Sequence, residues 1–332
     1  MIIFIAGIVS FSLAFLVLPY WIRRAKNYGF VEKDVHKKNA TAVGLGGLII
    51  GLGFIGGLLF YIAYEVFYIK SNSSLVAIFS VMTSILIAII LGLVDDLLGW
   101  KIGLRKYQKI TMTFLIALPI MVINAGVSEI TLPFIGQVNV FFLYPLILVP
   151  LGISGAANGF NILAGYNGLE SGMGILILLS QGLIVLKLGN NVVALMAFCM
   201  AASLLAFLYY NKFPAKIFPG DSMTYSVGAL IAIVAILGNI EKFSIMLFIP
   251  YLIEGALKLR GNLQKESFAK LRSDGSFTEP YDKYYGLEHI AITIARKIKK
   301  KAYETDVVFI LWTFQIIISI LVLADFFIFR II

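Results

Sequence analysis

Two adjacent carboxylates, Asp95-Asp96, follow a run of twenty residues, 75–94, that carries no charge. Like charges side by side at the end of an apolar run repel. They stay ionised most easily beside a divalent cation or opposite basic groups. Arg105, Lys106 and Lys109 come within the next loop. A solvated loop start with a chance acidic pair would look the same. A second group is Asn158-Gly-Phe-Asn161-Ile-Leu-Ala-Gly165-Tyr-Asn167-Gly168-Leu169-Glu170. Asn158 and Asn161 are three apart and share one helix face. Asn167-Gly168 is a turn signal. An amide oxygen can ligate a hard cation, and a side-chain amide can read the edge of a base. A capped helix end with a tight turn is the plainer reading.

A third group is Lys216-Ile-Phe218-Pro-Gly220-Asp221-Ser222. Asp221 suits a metal ligand, Phe218 a stacking surface for a base, and Lys216 a phosphate contact. Asp221 is equally well explained as a helix cap. The fourth is Glu32-Lys-Asp34-Val-His36-Lys37-Lys38, with Gly44-Leu45-Gly46-Gly47 after it. Lysines such as Lys37 beside glycine-rich backbone suit phosphates, and so does an ordinary basic loop. Gly51-Leu-Gly53-Phe-Ile-Gly56 matches a dinucleotide fingerprint, but it lies inside an apolar run and not at a strand-to-helix turn. Close helix packing through Gly53 and Gly57 is the better reading. Glu254 reads either as a site group or as a residue reaching the interface.

The elements that position these groups are set by composition. Of 332 residues, 60% are apolar and 14% charged, and the mean hydropathy is +0.94; soluble domains carry about 25% charged residues. One cysteine and two histidines exclude a multi-Cys or His-based metal cluster and an internal disulfide. A spanning helix needs roughly 20 mostly apolar residues. Ten segments qualify: 2–20, 43–69, 75–94, 110–123, 138–157, 172–188, 192–210, 222–238, 243–257 and 307–329, the fourth and ninth being short. Of the 27 Lys and Arg residues, 23 fall in the loops after odd-numbered spans. By the positive-inside rule those loops face the cytoplasm and both termini face outward. The net charge of +9 is thereby topological, and a nucleic-acid partner is not expected. The expected fold is an all-α integral membrane protein of ten transmembrane helices. It forms one polytopic domain, 1–332, with a small cytoplasmic α/β insertion at 258–305. In that insertion Ser273-Asp274-Gly275 reads as a turn between short strands, and 287–301 as a basic amphipathic helix. The outward loop 124–137 reads as a hairpin.

The oxygen ligands Asp95, Asp96, Asn161 and Asp221 come from three loops on one side, without thiols or a histidine set. This is the ligand chemistry of magnesium or manganese. Neighbouring lysines and arginines suit phosphates, and the apolar bundle suits a lipid.

In order along the chain, Asp95-Asp96-x-x-Gly99, Asn158-x-x-Asn161-Ile-Leu-Ala-Gly165-x-Asn167-Gly168-Leu169-Glu170 and Phe218-x-Gly220-Asp221-Ser222 resemble the polyprenyl-phosphate N-acetylhexosamine-1-phosphate transferases. The resemblance runs from about residue 30 to 300. Bacterial MurNAc-pentapeptide phosphotransferases carry Asp-Gly-x-Asp-Gly-Leu in the middle motif and a histidine-rich last loop. This chain has Gly165-Tyr-Asn167-Gly168-Leu169-Glu170 and no histidine cluster, and is more similar to the archaeal and eukaryotic dolichyl-phosphate GlcNAc-1-phosphotransferases. It departs from the eukaryotic form too, which has Arg-His-Arg in the last loop. Here that region holds Lys258, Arg260, Lys265 and Arg272.

The resemblance implies transfer of GlcNAc-1-phosphate from UDP-GlcNAc to a polyprenyl or dolichyl phosphate at the cytoplasmic face of the cell membrane. Asn161 and Asp221 would hold Mg²⁺ (or Mn²⁺). Asn167, with the backbone near Leu45 and the ring of Phe218, would bind uracil. Asp95 and Asp96 would sit by the acceptor phosphate, and Lys106 or Arg105 would contact phosphate. Asn158 and Glu170 would shape the loop, and with Gly168 they would belong to the substrate-binding set. A homodimer is compatible with this plan. Two rivals are the same chemistry on another UDP-N-acetylhexosamine, and a transporter of a phosphorylated solute. The transporter would place polar groups near the bilayer midplane, and the spans lack them.

Overall fold

A computed structural model describes residues 1–34, 41–102, 106–132 and 136–329; of these, residues 99–102, 106, 129–132, 136–138 and 329 are described by backbone alone. The chain opens with α1 (Ile2–Asn27), then β1 (Val31–Lys33) and β2 (Thr41–Val43), and α2 (Gly46–Ala63) and α3 (Leu75–Ile102). Next come α4 (Lys106–Thr113), α5 (Leu118–Val122), the pair β3 (Glu129–Leu132) and β4 (Gly136–Asn139), and α6 (Val149–Ile162). α7 (Leu169–Lys187), α8 (Asn191–Asn211), α9 (Gly220–Gly238), α10 (Glu241–Leu247) and α11 (Ile249–Arg260) follow. The chain ends with β5 (Lys270–Leu271), β6 (Phe277–Thr278), α12 (Leu287–Lys299) and α13 (Glu304–Ala324).

Helices dominate because lipid supplies no hydrogen-bond partners, so each spanning segment must satisfy its own backbone. Among the described residues, eight helices are long and apolar enough to cross a membrane: Ile2–Asn27, Gly46–Ile69, Leu75–Leu98, Tyr144–Ile162, Leu169–Lys187, Asn191–Asn211, Gly220–Gly238 and Glu304–Ile328. The protein is thus a multi-pass, all-α membrane protein. The expected fourth and ninth spans are shorter and broken. The fourth, Tyr107–Val122, contains a 3₁₀ turn at Phe114–Ala117, and Pro119 stands in the first turn of α5. The ninth is divided at Phe248 into α10 and α11, with Pro250 in the first turn of α11. Proline is tolerated there because the first turn lacks intrahelical N–H partners, and it prevents one continuous helix.

α9 is the axis of the bundle and packs on α2, α3, α6, α7 and α8. Its apolar window is 83% buried, against 28% for the peripheral α1. Close approach depends on glycine. A Cβ at Gly92 of α3 would collide with the backbone of Asp221 and Ser222, and one at Gly47 of α2 with Ser222 and Met223. The starts of α2 and α9 and the end of α3 can therefore meet at one place. Gly53 and Gly57 pack against Ser10 of α1 and against Ser203 and Cys199 of α8, which accounts for the fingerprint-like glycine pattern.

Three antiparallel hairpins complete the fold. β1–β2 pairs Val31 with Val43, and β3–β4 pairs Glu129 with Asn139 in the expected loop. β5–β6 pairs Lys270 with Thr278 around the Ser273-Asp274-Gly275 turn, where Gly275 has φ +79° and the Ser276 N–H donates to Asp274 Oδ1 (3.1 Å). α12 buries Leu287, Ala291, Ile292 and Ala295 on one face and carries Arg296, Lys297 and Lys299 in its last turn. It packs on α11 and α13.

Candidate active site

The site forms where the ends of α3, α6 and α9 meet α4. Asp96 lies one turn past Gly92. Its Oδ1 accepts the Asp221 N–H (2.7 Å), and its Oδ2 accepts the Ser222 N–H (3.3 Å) and the Ser222 hydroxyl (3.0 Å). The N-cap position of α9 is Pro219, whose side chain caps nothing. Asp96 therefore caps α9 from another helix, a favourable place for a negative charge. Asp221 is not the cap of its own helix. It points its carboxylate to Lys109, whose ammonium pairs with both Asp221 Oδ2 (2.9 Å) and the buried Asp95. Two carboxylates from different helices thus share one cation.

Asn161 joins this group through Thr224, whose hydroxyl lies 3.0 Å from Asn161 Oδ1 and 3.2 Å from the Asp221 carbonyl. Asn158 turns the other way: its Nδ2 donates to Thr113 Oγ1 of α4 (2.7 Å) and to the Ser154 carbonyl (2.9 Å). It ties α6 to α4 and so fixes the helix that carries Lys109. Among the described residues no three His, Cys, Asp or Glu side chains gather as a metal site. The donors still fit magnesium. That ion typically takes one or two carboxylates and completes its shell with substrate phosphates and water. Asp221, Asp95 and the amide oxygen of Asn161 supply hard oxygens, and the position between the carboxylates already holds a positive charge in Lys109.

A second wall is built from the segments before α2 and before α9. Val43 and Ile217 form a parallel bridge. The Phe218 N–H donates to the Val43 carbonyl (2.7 Å), and the Gly46 N–H donates to the Phe218 carbonyl (3.1 Å). Leu45, buried with φ +64°, is thereby set beside Phe218. A left-handed backbone is uncommon for leucine, and here it lets the chain turn directly into α2. The 163–170 loop is joined to this wall through Asn211. Glu170 Oε1 accepts the Gly165 N–H (2.8 Å) and closes the loop. The Asn167 N–H donates to Glu304 Oε1 (2.7 Å), and Asn167 Nδ2 donates to Asp34 Oδ2 (3.2 Å). Gly168, with φ +89°, donates its N–H to Asn211 Oδ1 (3.1 Å). Asn211 Nδ2 donates in turn to the Ile217 carbonyl (2.9 Å), tying the two walls together.

Of the residues singled out in the sequence, Asp95, Asp96, Asn161 and Asp221 come together, and so do Leu45 and Phe218. Asn158 and Glu170 hold the framework. Lys216 contributes its backbone, since its carbonyl accepts the Val43 N–H (3.2 Å) while its side chain is exposed. Lys37 and Arg105 lie outside the described residues, as does the side chain of Lys106. Four residues carry more than their sequence positions suggested: Lys109, Asp34, Asn211 and Glu304. Lys109 had a readable signal, because with Arg105 and Lys106 it is one of the basic residues that follow the Asp95-Asp96 pair.

Beside the site, α11 and α12 bury a second charged group. Glu254 Oε2 accepts the Leu287 N–H (2.6 Å), and its Oε1 lies 3.5 Å from Lys258 Nζ. Lys258 also donates to Ser267. Glu288 is wholly buried, and burial together with the Glu254 charge holds its carboxyl well above the usual range. His289 accepts the Tyr285 N–H at Nδ1 (3.2 Å); burial and nearby Lys258 push its pKa down to about 4.

The profile described as glycosyl transferase family 4 matches residues 78–239. A Saccharolobus solfataricus protein named "Putative UDP-N-acetylglucosamine–dolichyl-phosphate N-acetylglucosaminephosphotransferase" is 36% identical over 95% of this chain and 94% of its own. A Sulfolobus acidocaldarius protein of the same name is 31% identical over 96% and 94%. A phospho-N-acetylmuramoyl-pentapeptide-transferase of Streptococcus mutans is 28% identical over 96% and 97%. With relatives this similar along nearly its whole length, and with the motif residues gathered at one end of the bundle, the chain belongs to glycosyl transferase family 4, the polyprenyl-phosphate N-acetylhexosamine-1-phosphate transferases.

Proposed function

We propose that this protein transfers GlcNAc-1-phosphate from UDP-GlcNAc to a dolichyl-type polyprenyl phosphate, giving lipid-diphosphate-GlcNAc and UMP, on the cytoplasmic side of the membrane. The observation that carries the reading is the shared-cation arrangement of Asp95, Lys109 and Asp221 beside the Leu45–Phe218 wall. Charge of this kind suits a diphosphate and the neighbouring wall suits a base, at one end of an apolar helical bundle. The names of the two archaeal relatives support the donor and acceptor.

In this reading an oxygen of the lipid phosphate attacks the β-phosphorus of the donor. The bond from that phosphorus to the bridging oxygen breaks, and UMP leaves with the electron pair. Asn161 and Asp221 would hold Mg²⁺, which when bound would offset the diphosphate charge as the leaving group forms. Lys109 balances the two carboxylates, and its ammonium would add positive charge beside the same phosphates. No general base is needed. A phosphomonoester has a second pKa near 6 and is mostly a dianion at neutral pH. Asp95 therefore positions Lys109, and Asp96 positions the start of α9. The uracil would lie against Phe218 and Leu45, with Asn167 at its edge.

Mass spectrometry of the lipid product tests the donor. Purified protein given a mixture of UDP-N-acetylhexosamines and dolichyl phosphate is expected to make lipid-diphosphate-GlcNAc. A product carrying only another hexosamine would overturn the donor assignment while leaving the reaction type in place.

A further inference from the structure

Asn167 is held at both ends of its residue. Its N–H is bound by Glu304 and the next N–H by Asn211, so its backbone is fixed before any ligand arrives. The residue is only 6% exposed, and its Nδ2 meets Oδ2 of Asp34, itself buried (3.2 Å). An ionised carboxylate can only accept. If the amide were turned over, Asn167 Oδ1 would face Asp34 Oδ2, oxygen against oxygen, and the buried NH₂ would lose its partner. Only one orientation is therefore favourable. In that orientation Oδ1 faces away from Asp34, and none of the described residues donates to it.

We propose that Asp34 is a specificity-positioning residue: by holding the Asn167 amide in one orientation it makes this position an obligatory hydrogen-bond acceptor, which selects a uracil over a cytosine. The inference rests on the reading above, that Asn167 lies at the base. Uracil offers a ring N–H between its carbonyls. Cytosine offers a lone pair at the same ring position, which would oppose Asn167 Oδ1. The arm that carries Asp34 also carries the base wall. Asp34 directly follows β1, β1 pairs with β2, and β2 leads through Val43 to Leu45. A single segment would thus supply the wall and fix the reading of the base edge.

The test is nucleotide binding to purified full-length protein with magnesium, using UMP and CMP on the wild type and on Asp34→Asn. A carboxamide at 34 can offer Asn167 either an acceptor or a donor, so either orientation of Asn167 becomes acceptable. Wild-type protein is expected to prefer UMP strongly. In Asp34→Asn, UMP affinity should change by no more than about twofold, because half the population stays correctly oriented. CMP affinity should rise about tenfold or more, the scale on which a mismatched buried hydrogen bond is felt. A gain of CMP binding is something a loosened fold does not produce. Asp34→Asn that keeps the wild-type UMP-to-CMP ratio would overturn the proposal and leave the transferase reading intact. Wild-type protein that binds neither nucleotide would overturn both.

Discussion

Replacing Asp96 by asparagine separates capping from chemistry. The Asp96 carboxylate takes three hydrogen bonds from the first residues of α9, and nothing on α9 itself takes its place. In Asp96→Asn one oxygen remains to accept the Asp221 N–H. The new NH₂ faces the Ser222 N–H, donor against donor, and the Ser222 hydroxyl must turn round. Charge-assisted hydrogen bonds contribute about 1.5–3 kcal/mol each, and a charge at a helix start adds up to about 1 kcal/mol at a partly exposed site. Allowing for relaxation, the loss is about 3 kcal/mol. Asp95→Asn is milder, because Lys109 keeps Asp221 at 2.9 Å and the new amide oxygen can still accept from the ammonium; with Asp95 buried but Lys109 partly exposed, roughly 1 kcal/mol is expected. Thermal unfolding in detergent and UMP release, measured on both variants, form the assay. Asp96→Asn should lower the unfolding midpoint clearly more than Asp95→Asn does. Its activity should fall about 100-fold, since the Asp221 end of α9 loses its register. A stable but inactive Asp96→Asn, with the parent's midpoint, would refute the capping argument and return Asp96 to direct chemistry.

Further outcomes follow from the same geometry. Lys109→Met leaves Asp95 and Asp221 facing each other without their shared cation, so kcat should fall about 100-fold while the magnesium requirement falls, because the freed carboxylates attract the metal more strongly; kcat measured across a magnesium titration checks it, and an unchanged titration would remove Lys109 from the site. Glu288 has a carboxyl raised above the ordinary 4.5, so its contribution to stability is complete below pH 4.5 and is lost as pH rises through the raised value. The wild type should therefore lose up to about 1.4 kcal/mol per pH unit in that window. Glu288→Gln should lack the slope, as read by unfolding midpoints from pH 4 to 9; parallel curves would contradict the burial argument.

Much of this was legible because lipid narrows the choices. Apolar runs near twenty residues long became helices at the expected places, the loop read as a hairpin over 124–137 holds the β3–β4 pairing that extends to Asn139, and the Ser273-Asp274-Gly275 turn joins β5 and β6. The breaks in the segments expected as the fourth and ninth spans were less legible. Both contain proline, yet proline in a first turn reads the same in a short helix as at the start of a long one. The site residues could be chosen by type, but their partners could not. Asp96 is 125 residues from the N–H it caps. Asn167 is 133 residues from Asp34 and 137 from Glu304. No local pattern encodes such pairs. They emerge from helix packing, and the glycines that allow it, Gly47 and Gly92, looked in sequence like ordinary small residues of apolar spans.

The most direct measurement is UMP release by the purified protein given UDP-GlcNAc, dolichyl phosphate and Mg²⁺, alongside Asp221→Ala. The account predicts release that needs both the lipid and the metal and is lost in the variant. Undiminished release by Asp221→Ala, or no release from any UDP-sugar by the wild type, would contradict it.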